Sequence, residues 1–103
     1  MKNITSADAL RSLCLFRNES SEAWDGAIDD ADGDNQDEAI GAAEEALDYY
    51  DKAIDLLERL DDPNWRTTAR NHLSDAKTLE DEWGDSSCAI SAIEAIDSIN
   101  TED

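Results

Sequence analysis

Apolar residues return every three or four positions through four stretches of this chain and alternate nowhere. The most regular seam runs through Ala39/Ile40, Ala43, Ala46/Leu47, Tyr50, Ala53/Ile54, Leu57 and Leu60. That period lays a single apolar stripe along an α-helix. A strand needs a period of two, and the chain has no valine and no hairpin turn dipeptide between apolar stretches. The rhythm predicts an all-α fold, a small antiparallel helical bundle of three to four helices.

Caps divide the pattern into segments of one domain spanning residues 1–103. Thr5 with Asp8 reads as a capping box opening a helix over 6–32. Its seam holds Leu10, Leu13, Cys14, Trp24, Ala27, Ile28 and Ala31, with a possible break near Asn18–Ser21, and Gly33 is expected to close it in the left-handed conformation. Asn35 with Glu38 caps a second helix over 36–60. Asp62-Pro63 reads as N-cap and first-turn proline of a third, 63–83, with Trp65, Ala69, Leu73, Ala76, Leu79 and Trp83 on one face and Gly84 at its end. Ser86 or Ser87 starts a last helix over 87–99 through Ala89/Ile90, Ile93, Ile96 and Ile99. Residues 44–57 resemble the second helix of a tetratricopeptide repeat at Ala46, Tyr50 and Ala53. The nearest internal echo lies 43 residues on rather than 34, so those positions are expected to serve an ordinary close helix pair.

Charge narrows function more than any motif. Among 103 residues, 27 acids face 8 lysines and arginines, a net of -19. Such a surface repels phosphate, which excludes direct nucleic-acid binding and docking on an anionic membrane. No run approaches the ~20 apolar residues of a membrane span, and Met1–Thr5 lacks the apolar core of a signal peptide. The expected location is cytoplasmic, with Cys14 and Cys88 as free thiols on the apolar seams.

The charge is unevenly spread: +2 over residues 1–18, -15 over 19–62 and -6 over 63–103. Glu44, Asp48, Asp51, Asp55 and Glu58 step by four and three along the second helix, which keeps them on one face. Glu22, Asp25, Asp29 and Asp32 do the same on the first, and an antiparallel pair would set the two rows side by side. Carboxylates then recur about every 5–6 Å, comparable to phosphates along one nucleic-acid strand. In size, charge and row spacing the chain resembles small acidic phage and plasmid inhibitors of restriction and CRISPR enzymes. The expectation is a non-enzymatic nucleic-acid mimic whose partner is a basic nucleic-acid-binding protein or complex. Glu44, Asp48, Asp51, Asp55 and Glu58 are the first candidate contacts; Glu22, Asp25 and Asp29 are the second. Tyr49, beside Asp48, is expected to be exposed and able to stack on a partner arginine. Arg66, Arg70 and Lys77 are expected to face away or to pair with neighbouring acids.

The rival reading is salt adaptation. Asp outnumbers Glu 17 to 10 and Arg outnumbers Lys 5 to 3, and molar salt shortens the screening length to about 3 Å. The acidity would then belong to the solvent, and the chain would be a helical adaptor or scaffold. Whether the chain dimerises is left open.

Catalytic and metal chemistry find no support. The Asp29–Glu38 run fails as a calcium loop: Gly33 at position 6 would place Ile28 and Ala39 at the ligand positions 1 and 12. His72, the single histidine, has no nucleophile or ligand set in sequence reach and is expected at the edge of the core. No cofactor motif occurs. Trp24, Trp65 and Trp83 are expected as core anchors.

Overall fold

A computed structural model describes residues 5–99. Four helices follow one another: α1 (Ser6–Asp30), α2 (Asp34–Arg59), α3 (Trp65–Trp83) and α4 (Ser87–Asp97). Among the described residues there is no strand. Each helix packs on the next, and α4 returns to α1, closing the ring of an up-and-down bundle.

The helix starts and stops follow from local hydrogen bonding. Thr5 Oγ1 accepts from the Asp8 amide at 3.1 Å, the predicted α1 cap. The helix runs unbroken through Asn18–Ser21, where the polar residues left room for a break. Ser20 is 1% exposed and turned into the core, so its place in the apolar rhythm is that of a buried polar contact. α1 ends at Asp30, two residues early, with Ala31 in extended backbone. Gly33 therefore does not close α1. At φ 57° and ψ -125° it is the N-cap of α2, in a region that L residues avoid. Asn35 lies inside α2 rather than capping it, and the Gln36 side-chain amide ties the turn together by donating to the Ile28 carbonyl at 3.1 Å.

Leu60 was expected on the α2 seam. It is the C-cap instead, left-handed at φ 50° and 40% exposed. Asp62 folds the next turn by accepting from the Asn64 amide, and Asn64 rather than Asp62 precedes α3. Gly84, at φ 155°, closes α3, and Ser86 opens α4. Met1–Ile4 and Asn100–Asp103 lie outside the described residues, including Lys2, Glu102 and Asp103 of the charge count and most of the stretch read for a signal peptide.

Sixteen apolar residues are buried among those described, and nine of them are alanine: Ala9, Ala39, Ala43, Ala46, Ala53, Ala69, Ala76, Ala89 and Ala92. Small side chains let helix axes approach closely but supply little apolar area each, so the larger buried groups Leu13, Trp24, Tyr50, Leu57, Leu73 and Ile96 contribute most of the hydrophobic term. Ala46, Tyr50 and Ala53, the residues shared with the tetratricopeptide pattern, serve this bundle core. Trp24 and Trp83 meet at 6.4 Å between centroids, tilted by 58°. Trp65 is only half-buried and sits under the Arg66 guanidinium at 5.1 Å.

The pairs Ser20–Glu80 and Trp24–Trp83 set α3's end against the last third of α1. Beyond that level α1 and α2 continue as a two-helix hairpin joined by Ala31–Gly33.

Candidate protein-binding surface

Every acid named from the sequence rows is exposed: Glu44, Asp48, Asp51, Asp55 and Glu58 on α2, and Glu22, Asp25 and Asp29 on α1. On α2 they stand opposite the buried line Ala43, Ala46, Tyr50, Ala53 and Leu57. Asp32, the fourth member of the α1 row, falls past the helix end in the turn.

The helical register changes what these rows are. Arg17 Nε donates to Asp51 Oδ1 at 3.1 Å across the α1–α2 joint. Antiparallel helices pinned there bring the Glu22–Asp29 stretch opposite residues 39–46, and bring Asp48–Glu58 opposite the basic start of α1. The two rows overlap only near Glu44, so they run end to end rather than side by side. The α2 row is also largely compensated. Asp48 pairs with Lys52 at 3.2 Å, Asp51 with Arg17 and Asp55 with Arg59 at 2.6 Å. Only Glu44 and Glu58 of the first five candidates have no ion pair among the described residues.

Bare charge gathers instead at the hairpin end. Residues 22–45 contain ten acids and no lysine, arginine or histidine. These are Glu22, Asp25, Asp29, Asp30, Asp32, Asp34, Asp37, Glu38, Glu44 and Glu45. All ten are exposed, and none takes part in any of the six ion pairs among the described residues. The sequence reading drew on Glu22, Asp25, Asp29, Asp32 and Glu44 of this stretch as parts of two rows, and on Asp29–Glu38 as a failed calcium loop. Among the described residues, no three acids, histidines or cysteines converge into a group that could hold a metal ion; the carboxylates point outward along two helices and their turn. Asp34 and Asp37 lie in the first turn of α2, where the helix dipole favours negative charge. That offsets part of the repulsion among neighbours and lets acids crowd here.

Some acids elsewhere have local donors. Arg11, and then Thr5, hold the Asp8 carboxyl below the usual range; Lys77 does the same for Asp81 and Ser87 for Asp85. Lys77 and Arg70 pair with Asp81 and Asp97 at 2.8 and 3.1 Å, as expected. Arg66 does something the sequence did not signal. Its guanidinium donates to the carbonyls of Ile96 and Ile99 at 2.7 and 2.8 Å, placing two donors and a cation at the C-terminal end of α4, where the helix dipole favours positive charge.

Two further expectations change. Tyr49 is half-buried, stacked on His72 with centroids 6.1 Å apart and Lys52 5.6 Å above its ring. It is an α2–α3 contact, not a free stacking surface, and His72 sits at the core edge as expected. Cys14 is exposed, one step around the helix from the buried Leu13, so it is not a seam residue. Cys88 is half-buried, and both thiols are free.

The buried polar cluster was missed entirely. Glu80 is 4% exposed, and its Oε2 accepts from Ser20 Oγ and from Tyr50 Oη, both at 2.7 Å. Burial first, then Glu80, pushes the Tyr50 phenol far above its ordinary range, so the hydroxyl stays a donor. The signal was present in the spacing: Ala69, Leu73, Ala76, Glu80 and Trp83 step by four, three, four and three.

No protein-family model, curated protein or solved structure matches this chain. No helix among the described residues is long and apolar enough to cross a membrane.

Proposed function

We propose that this chain is a non-enzymatic, acidic protein-binding inhibitor that imitates nucleic acid. The carboxylates of the α1–α2 hairpin end would occupy the lysine- and arginine-lined groove of a DNA- or RNA-binding protein or complex, as phosphates do. One observation carries the reading: ten exposed acids over residues 22–45 with no cation among them and no ion pair among the described residues. Like charges at helical neighbour positions cost a few tenths of a kcal/mol per pair. Six acids outside this stretch hold a cation among the described residues, whereas none of these ten does. A small alanine-rich core has little margin for that repulsion, which supports a gain from binding. Glu22, Asp25, Asp29 and Glu44 stay among the contacts. Asp30, Asp34, Asp37, Glu38 and Glu45 join them, while Asp48, Asp51 and Asp55 become secondary because each already holds a cation.

A salt series distinguishes this from solvent adaptation. A mimic keeps its helical circular dichroism at ~0.1 M salt and loses target binding as salt rises. Unfolding on transfer to ~0.1 M salt would assign the acidity to the solvent and remove the basis of the reading.

A further inference from the structure

Glu80 leaves a chemical demand that the chain does not meet. Both hydroxyl donors fall on Oε2, while Oε1 is fully buried with no hydrogen-bond partner. A buried carboxylate calls for a cation or further donors, and no lysine, arginine or histidine among the described residues pairs with Glu80. The Glu80 side chain lines a cavity of about 30 Å³ together with Trp24 and Trp83, with Ala23, Ala27 and Gly84 as small-residue walls and Asp85 beside them. The two indoles stand tilted at 58°, and aromatic faces attract cations. Past Ala27 and Trp83 the cavity adjoins a wider groove lined by Asp30, Asp32 and Asn35, at the acidic hairpin end.

We propose that the Trp24–Glu80–Trp83 cavity is a socket for a primary ammonium group, the end of a lysine side chain on the basic partner. On the same measure one water needs about 10–15 Å³, so 30 Å³ admits two groups of that size, an ammonium and its terminal methylene. A planar guanidinium, with four heavy atoms, would leave part of itself outside at the mouth. The ammonium draws Oε1, buried in the free protein, to the cavity wall and donates to it; the two tryptophans line the cavity, and the Asp30–Asp32 groove steers the ammonium inward. Trp24 Nε1, also buried without a partner, is left to donate to a water or main-chain carbonyl that enters with the lysine. This proposal rests on the basic-partner reading and names an anchor point for it.

The test needs no target. Methylammonium chloride is titrated into the folded protein with total chloride held constant by sodium chloride, following the Trp24 indole N–H resonance by NMR. The expected result is a saturable shift with half-saturation on the order of 10 mM, near the ceiling for two heavy atoms. N-acetyl-lysine amide should produce the same shift, and tetramethylammonium, too large to enter, should not. Glu80→Gln keeps an acceptor for Ser20 and Tyr50 and should weaken the response at least tenfold. Should that variant fail to fold, Ala23→Leu, at an exposed position on the cavity wall, should weaken it as well. A response shared with sodium or tetramethylammonium, or none at all, overturns the proposal and leaves the cavity to water. A response to methylammonium but not to N-acetyl-lysine amide overturns the side-chain source. Either failure leaves the salt-series test of the inhibitor reading untouched.

Discussion

Tyr50→Phe removes one oxygen from the middle of the bundle and leaves the ring in place. Tyr50 is 0% exposed and Ser20 1% exposed, so neither hydroxyl can be replaced by solvent without opening the core. Each donates at 2.7 Å to the same buried Glu80 oxygen, and a hydrogen bond to a charged group contributes about 1.5–3 kcal/mol. Tyr50→Phe and Ser20→Ala should each cost that much in urea unfolding, with the slope unchanged. For a domain near 100 residues, 1.5 kcal/mol corresponds to a loss of ~6 °C or more in Tm. The double variant should cost more than the two singles together. With one donor gone the other tightens on Oε2, and with both gone nothing holds the carboxylate. Tyr49→Phe, whose hydroxyl makes no hydrogen bond among the described residues, is the control and should stay within ~0.5 kcal/mol. Losses below ~0.5 kcal/mol for both Tyr50→Phe and Ser20→Ala would refute the idea that these donors hold Glu80 inside.

Arg66→Met keeps the stem over Trp65 but deletes both donors to the α4 carbonyls. It should destabilise by about 1.5–3 kcal/mol and speed hydrogen exchange in α4 more than in α2. Burial, and then the nearby Glu80 charge, push the Cys88 thiol up, leaving less thiolate at any given pH, whereas Cys14 is exposed. A thiol reagent at pH 8 should therefore label Cys14 in a fast phase and Cys88 in a slow one, and Cys14→Ser should remove the fast phase. Asp29→Asn with Asp30→Asn and Asp37→Asn should raise Tm at ~0.05 M salt and have little effect at 1 M, because the relieved repulsion is screened there. An equal effect at both salts would show that it is not electrostatic.

The fold was legible because its signal is redundant. Four apolar seams, a capping box at Thr5–Asp8 and the closing Gly84 all point to the same helices. What escaped was what one-dimensional periodicity does not encode. Ser20 and Glu80 occupy seam positions but are polar, so they read as a helix break and as one more surface acid until the fold placed them 2.7 Å apart. Cys14 and Leu13 are adjacent in sequence, and a rotation of 100° separates exposed from buried. The acidic rows were correctly placed on outer faces, but their alignment depends on helix register, which the Arg17–Asp51 pair sets. Arg17 lies 34 residues from Asp51, so no local pattern showed that Asp51 was already paired. The bare hairpin end was visible as a run of acids without a cation over residues 22–45; that no cation from elsewhere among the described residues pairs with them is a property of the fold.

The central claim is that bare carboxylates at the hairpin end compete with nucleic acid for a basic groove. The most direct measurement immobilises the folded chain, captures its partner from the organism that encodes it at ~0.1 M salt, and adds duplex DNA or RNA as competitor. The account predicts that nucleic acid displaces the partner in proportion to its concentration. It also predicts that Asp25→Asn, Asp29→Asn, Asp30→Asn, Asp34→Asn and Asp37→Asn together abolish capture without loss of helicity. Neutralising Asp75 and Glu94, exposed acids of α3 and α4, should leave capture unchanged. Capture that survives both the competitor and the five hairpin substitutions would contradict the account.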